Sequence, residues 1–206
     1  MTEAVAQTTA GQRGPADHTI RAQIVQAAGD HFLRYGYGKT TVSDLAKAIG
    51  FSKAYIYKFF DSKQAIGEAI CSDCTSCIMD YARENVSQGR SSTEKLRILF
   101  RSITERTLEY LFEERKLFDI VVFSLHEDWK SPKIFMEQIE VALQQILQEG
   151  RASGEFERKT PLDETTRAIL QAMQPFIHPM MLEHNLDRTT ERMTEVVNLV
   201  LRSLAP

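Results

Sequence analysis

Residues 41–60, TVSDLAKAIGFSKAYIYKFF, constrain the fold most strongly because they predict two short helices joined by a tight turn. Thr41 with Asp44 three residues later matches a capping box, in which side chains satisfy the unpaired amide groups at a helix start. Gly50 supplies the permissive backbone that ends this helix, and Ser52 is a favourable cap for the next one. The apolar residues between these signals recur at helical spacing and predict one buried face: Val42, Leu45, Ala46 and Ile49.

The second predicted helix has one apolar side and one side suited to contact with DNA. Rotation by about 100° per residue places Ile56, Phe59 and Phe60 on the inward side. The opposite side offers a methyl group, two phenols and an ammonium group to a major groove: Ala54, Tyr55, Tyr57 and Lys58. The stretch therefore predicts a DNA-binding helix-turn-helix. The alternative, a helical hairpin that binds nothing, gives these outward aromatic and cationic side chains no role.

The run SKAYIYKFFDSKQAI at residues 52–66 resembles the amino-terminal domain of TetR/AcrR-like bacterial transcriptional regulators. That family usually has Ser, Lys, Gly, a small residue, an aliphatic residue, Tyr, His and aromatics, followed by an acidic or polar residue, Lys and Glu. This chain departs from the pattern at Ala54, Tyr55, Lys58 and Gln64, so the resemblance implies the fold but not the operator sequence. Spacing and resemblance together give the predicted DNA-binding residues: Thr41, Ser52, Lys53, Ala54, Tyr55, Tyr57, Lys58 and Lys63.

The charge distribution separates the amino-terminal third from the rest of the chain. Residues 1–63 contain eight Lys or Arg against five Asp or Glu, whereas the remainder is net negative by six. A net positive amino-terminal part suits an anionic partner such as double-stranded DNA. The sequence has no apolar run of eighteen residues and no signal-peptide pattern at its start, so we expect a cytoplasmic protein without a membrane partner.

The apolar periodicity predicts an all-α chain with three parts and no strand. We expect a flexible arm at residues 1–17, a three-helix DNA-binding domain at residues 18–63 and a larger helical effector-binding and dimerisation domain at residues 64–206. The first helix is predicted to begin near His18, and Ser62 is predicted to open a fourth helix that ends near Ser87. Further helices are predicted at about 92–111, 113–127 and 131–150, from about 161 with a break at Pro175 and Pro179, and from about 190.

The three cysteines of the chain lie together in the predicted fourth helix, in the run CSDCTSC. On a helical wheel Cys74 and Cys77 fall on the stripe of Ile66, Ile70 and Tyr81, while Cys71 lies at its edge. Structural thiols explain this pattern without special chemistry. Sensing of an oxidant, an electrophile or a metal is the alternative, although the sequence places no histidine nearby as a ligand or base.

The larger part of the chain contains apolar and polar side chains of the kinds that line small-molecule sites. The predicted ligand-binding residues are Phe118, Val122, Phe123, His126, Trp129, Phe176 and His178. Each of them also fits an ordinary place in the core. The resemblance implies that the last two long helices, about 163–204, form a four-helix bundle in a homodimer. Val196, Val197 and Val200 are more apolar than a terminal surface helix needs and are predicted to bury against the twofold mate.

These observations favour a homodimeric transcriptional regulator, most simply a repressor that a small apolar or amphipathic ligand releases from a palindromic operator. A repressor whose signal acts at Cys71, Cys74 and Cys77 is the first alternative. A small helical enzyme is the second, but the sequence shows no nucleophile–base pair, phosphate loop or HExxH spacing. We therefore expect no catalytic residues, no cofactor and no resident metal.

Overall fold

The computed structural model describes residues 15–113, 115–184 and 186–206, and within these ranges the chain forms ten α-helices and no strand. The all-α prediction is confirmed. The predicted arm falls mostly on residues 1–14, which lie outside the described residues, and the first helix begins at Pro15, earlier than expected. The helices are α1 (Pro15–Tyr35), α2 (Val42–Ile49), α3 (Lys53–Ile56), α4 (Lys63–Ser87), α5 (Ser92–Glu113), α6 (Arg115–His126), α7 (Lys130–Ser153), α8 (Leu162–Ile177), α9 (Pro179–Glu183) and α10 (Thr189–Ser203).

The predicted start signals form hydrogen-bonded caps. The Thr41 hydroxyl accepts from the Asp44 amide at 3.2 Å, and the Asp44 carboxylate accepts from the Thr41 amide at 2.9 Å. The Thr41 hydroxyl also donates to the Asp44 carboxylate at 2.6 Å, and this hydrogen bond together with the one from the Thr41 amide holds the pKa of the Asp44 carboxyl below its usual range. The Ser52 and Ser62 hydroxyls accept from the Tyr55 and Ala65 amides at the starts of α3 and α4, and Gly50 ends α2 in the left-handed region with φ 79°. Local side-chain chemistry therefore fixes the boundaries of all three helices.

A smaller core holds the amino-terminal helices together and extends beyond residue 63. Ile24, Phe32, Leu45 and Ile56 are fully buried in it. It also includes residues from α4, from α6 and from the residue before α7: Ile66, Ile70, Cys71, Ile120 and Trp129. The amino-terminal unit is thus packed directly against helices of the larger unit.

A larger core lies between α4, α5, α7, α8 and α10. The second half of α4 contributes Ile78, Met79 and Ala82 to this core, whereas its first half belongs to the smaller one. Helix α4 therefore packs in both cores, and within the described ranges no other helix contributes buried residues to each of them. A change in its position would be transmitted to both units.

The α8–α9 break is produced by proline, as predicted. Pro179 is the first residue of α9, and the residue before a proline is disfavoured in the helical region. His178 accordingly adopts extended backbone angles, φ −85° and ψ 119°, between the two helices. Pro175 is accommodated inside the last turns of α8.

The prediction that the valines of α10 are buried against a partner chain is wrong. Val197 and Val200 are 2% and 8% exposed and pack in the larger core of their own chain, while Val196 is half-buried against it. The exposed apolar residue of α10 is Leu199, at 64%. The error arose because the wheel shows which residues share a face but not whether that face meets the same chain or a partner. Among the described residues no helix is both long and apolar enough to cross a bilayer.

Candidate DNA-binding surface and effector cavity

The turn after α2 presents α3 at the surface of the amino-terminal unit. The Ser52 hydroxyl accepts a hydrogen bond from the Tyr55 amide at 3.1 Å and starts α3. After Ile56 the backbone continues as tighter turns, with the Lys58 amide bonded to the Tyr55 carbonyl and the Phe59 amide to the Ile56 carbonyl. The buried side of this segment is formed by Ile56 and Phe60. The prediction of an inward face is confirmed for these two residues, and Phe59 is half-buried.

Five of the predicted contact residues are exposed together on this segment: Ser52, Lys53, Ala54, Tyr57 and Lys58. The Lys53 ammonium lies 5.8 Å from the centre of the Tyr57 ring, and the Lys58 ammonium lies 5.6 Å from the centre of the Tyr55 ring. Contacts of this kind restrain a lysine without removing its charge from solvent. The segment therefore offers two cations and a phenol to an anionic partner.

Tyr55 is less exposed than the sequence suggested. Its ring packs edge-on against Phe51 and Phe59, with ring centres 5.1 Å and 5.3 Å apart. These three residues are spaced four apart, so they lie along one side of the segment. The helical wheel counted Tyr55 with the outward set because it ignored these neighbours. Only part of the Tyr55 ring is available for contact with DNA.

The side chains of Lys63 and Thr41 make hydrogen bonds within the chain. The Lys63 ammonium donates to the carbonyl oxygens of Tyr37 and Thr40 at 3.0 Å and 3.1 Å and lies 4.2 Å from the centre of the Tyr37 ring. Partial burial lowers the pKa of Lys63. The lysine therefore ties the start of α4 to the turn between α1 and α2. Thr41 uses its hydroxyl in the α2 cap.

The larger unit contains an apolar cavity of about 90 Å³ between α4, α5, α6, α7 and the α8–α9 junction. Two of the predicted ligand-binding residues, Phe118 and His178, lie in its wall. The remaining wall comes largely from residues that the sequence did not single out, including Ile78, Thr107, Tyr110, Val121, Phe135 and Met136. Cys71 and Cys74 also line it.

The other predicted ligand-binding residues lie outside this wall. Phe176 is buried in the larger core, and its carbonyl accepts from the Thr104 hydroxyl at 3.0 Å. Val122 is half-buried and His126 is exposed on α6. Phe123 and Trp129 pack against the amino-terminal unit, with ring centres 5.2 Å and 5.5 Å from that of Tyr37. These residues were selected by type, whereas the cavity uses the α6 face of Phe118, Val121 and Ser124.

The cysteines also differ from their predicted order of burial. Cys71 is buried, Cys74 is half-buried and Cys77 is exposed, although the wheel placed Cys71 at the edge and Cys77 on the apolar stripe. The buried face of α4 rotates along the helix because its neighbours change between the two cores. Burial raises the pKa of the Cys71 thiol to about 12, even though contact with the Ser124 hydroxyl lowers it. Such a thiol is a poor nucleophile at neutral pH.

Both parts of the chain match families of known regulators. Residues 24–70 match the family described as bacterial regulatory proteins, tetR family, and residues 92–197 match the tetracyclin repressor-like, C-terminal domain. The chain belongs to the TetR family and is a TetR-family transcriptional regulator. Its matched relatives are named as regulators rather than as enzymes.

Two curated relatives and one solved structure illustrate this similarity. The uncharacterized HTH-type transcriptional regulator YdgC of Bacillus subtilis is 24% identical over 90% of this chain and 93% of its own. The HTH-type transcriptional repressor KstR2 of Mycolicibacterium smegmatis is 28% identical over 72% of this chain and 73% of its own. The structure of FadR from Bacillus subtilis in complex with stearoyl-CoA covers 89% of this chain and 98% of its own, at 20% identity and a TM-score of 0.65. This last likeness is one of fold.

Proposed function

We propose that the protein is a homodimeric repressor that binds a palindromic operator and is released from it by a small apolar or amphipathic ligand. The observation that carries DNA binding is the exposed group of Lys53, Tyr57 and Lys58 on a capped segment after a tight turn. A relative named as a repressor, KstR2, supports repression rather than activation. Tyr57 and the lysines are assigned to phosphates, and Ala54 with the exposed edge of Tyr55 to bases.

The dimer follows from the geometry of operator binding and from one exposed surface. Two recognition segments must stand about 34–36 Å apart to enter successive major grooves, which one chain cannot achieve. Helices α8 and α10 pack side by side and leave Leu199 on α10 exposed, with Ala168 and Ala172 exposed on α8. Exposed small residues on one helix and an exposed leucine on the other would permit two such helix pairs to approach closely. We assign this face to a twofold interface.

Helices α4 and α6 supply the route from the cavity to the DNA-binding unit. Ile120 lines the cavity and is also part of the smaller core, so one side chain contacts both. On another side of α6, the Phe123 ring packs on Tyr37. A Cβ atom added at Gly38 would lie 3.1 Å from the Phe123 ring. A ligand that displaces α6 or the first half of α4 would move the turn between α1 and α2. Such a ligand releases DNA only if it binds the displaced conformation more tightly.

The DNA contact is tested by charge removal at one position inside the surface and one outside it. Fragments of the source genome that the protein retains would identify the operator. Lys58→Ala should weaken binding to all sequences alike and reduce the slope of log affinity against log salt by about one. Lys159→Ala removes an equally exposed lysine far along the chain and should change neither. The proposed surface would be refuted if both substitutions weakened DNA binding equally, or if neither changed it.

Release by a ligand needs a separate measurement. Operator affinity would be compared with and without candidate apolar and amphipathic molecules, with stearoyl-CoA included because it is bound by FadR. We expect a ligand that enters the cavity to lower operator affinity, and Phe135→Ala to alter its potency. If ligands that bind the protein leave operator affinity unchanged, the repressor is not controlled through this cavity.

A further inference from the structure

The cavity wall is almost entirely apolar. The Tyr110 phenol in this wall is already hydrogen-bonded to the Arg106 guanidinium and the Cys77 thiol, and the aliphatic hydroxyls have used their protons. The hydroxyls of Thr75, Thr107 and Ser124 donate to carbonyl oxygens of their own helices at 3.0 Å, 2.7 Å and 2.7 Å. No lysine, arginine, aspartate or glutamate is among the described residues that line the cavity. An ionised ligand would therefore lose its hydration there without gaining a partner of opposite charge.

His178 is the exception in this wall. Its Nδ1 atom is buried and makes no hydrogen bond within the described part of the chain. A buried nitrogen without a partner costs free energy, and a ligand atom that pairs with it recovers that cost. The proline-induced break places His178 in the cavity wall, whereas His184, just beyond α9, is exposed. Burial also lowers the pKa of His178, so the ring is neutral at pH 7 and offers one N–H and one bare nitrogen.

We propose that the cavity takes a neutral, mainly apolar molecule of about one ring that carries a single hydroxyl or carbonyl oxygen, and that Nδ1 of His178 is the hydrogen-bond partner of that oxygen. This inference rests on the proposed function, because it concerns the same cavity. The volume of about 90 Å³ is below the roughly 150 Å³ of a cavity that holds benzene, so a ring must displace part of the wall. Met136 is an unbranched, adaptable side chain in that wall and is the residue expected to move.

Three probes of nearly equal size separate the ligand classes. Phenol carries a neutral hydroxyl, toluene carries none and benzoate is an anion. Each would be titrated into the dimeric wild type, His178→Phe and the control His184→Phe, with binding followed by calorimetry or chemical-shift change. Wild type should bind phenol about threefold to tenfold more tightly than toluene, the change expected from one hydrogen bond, and should bind benzoate more weakly than phenol. His178→Phe should lose the preference for phenol, and His184→Phe should keep it.

A second measurement avoids substitution at His178. In protein labelled with ¹⁵N-histidine, phenol should shift the Nδ1 resonance of one of the five histidines, and toluene should not shift it in the same way. The proposal is overturned if wild type binds phenol and toluene equally, if none of the three probes binds, or if no histidine Nδ1 resonance responds to phenol. Retention of the phenol preference by folded His178→Phe would also overturn it.

Failure of this inference is distinguishable from failure of the proposed function. Phenol binding at His178 with unchanged operator affinity would support the ligand class and refute release through the cavity. Normal operator binding together with no response to phenol would refute the ligand class and leave DNA binding intact.

Discussion

Gly67 lies in α4 where the helix meets Trp129, and its replacement by alanine tests the packing between the two units. A Cβ atom at this position would lie 2.6 Å from Cη2 and 2.9 Å from Cζ3 of Trp129, and 3.0 Å from Cε2 of Tyr37. Favourable carbon–carbon contacts are about 3.5–4.0 Å, so something must shift. Trp129 is buried and packs edge-on against Tyr37, whose ring in turn contacts Phe32 and Phe123. A shift of the buried indole would therefore disturb this group of rings.

The magnitude follows from two opposing effects. Alanine is more favourable than glycine inside a helix by about 0.8–1.0 kcal/mol. An added carbon in a filled core costs typically about 1–3 kcal/mol. Gly29→Ala in α1 provides the matched control, because a Cβ atom there has no neighbour within 4 Å. We expect Gly29→Ala to stabilise the protein and the free energies of unfolding of the two variants to differ by about 1–3 kcal/mol, with Gly67→Ala the less stable.

Urea unfolding followed by circular dichroism measures both free energies of unfolding at one fixed protein concentration. Operator binding by Gly67→Ala should also weaken under conditions where it remains folded, because Trp129 and Tyr37 connect α4 and α6 to the turn before α2. If both glycine substitutions raise the free energy of unfolding by similar amounts, the close contact between Gly67 and Trp129 does not exist, and α4 does not pack on the indole as described.

Further substitutions test the assembly, the cysteines and Lys63. Leu199→Glu should yield folded monomers by light scattering, whereas Val197→Glu should unfold the chain, because only the first residue is exposed; a dimeric Leu199→Glu would place the interface elsewhere. Cys77→Ser should leave stability and operator binding unchanged, while Cys71→Ser should cost about 1–3 kcal/mol in urea unfolding because it buries a hydroxyl; loss of operator binding in folded Cys77→Ser would contradict this. Lys63→Met removes the donor to two carbonyl oxygens and should lower the free energy of unfolding by about 1–3 kcal/mol. An unchanged urea midpoint would show that these two hydrogen bonds do not stabilise the fold.

The helices of the amino-terminal unit were predictable because their limits are set by residues close in sequence. Thr41, Gly50, Ser52 and Ser62 act through hydrogen bonds and backbone angles within three or four positions of each helix end. The break before Pro179 has the same local origin. These features need no knowledge of the rest of the fold, so the sequence was sufficient to locate them.

The cavity was not predictable in this way because its wall is chosen by tertiary packing. Phe118 and Phe123 lie on the same helix and have the same side chain, yet one faces the cavity and the other faces Tyr37. Val197 was assigned to a partner surface but is covered by its own chain. Periodicity identifies an apolar face, and only the placement of neighbouring helices decides what that face contacts. The same limit produced the reversed order of burial for Cys71 and Cys77.

Footprinting on the operator tests the central claim most directly. DNA fragments of the source genome that the purified protein retains would be sequenced, and the protein would be footprinted on the most enriched one. The account predicts two related half-sites in inverted orientation, with centres about 10 base pairs or a multiple of that apart, protected by the wild type and lost with Lys58→Ala at moderate salt. Protection of a single unrepeated site, or retention of fragments without any shared sequence, would contradict it.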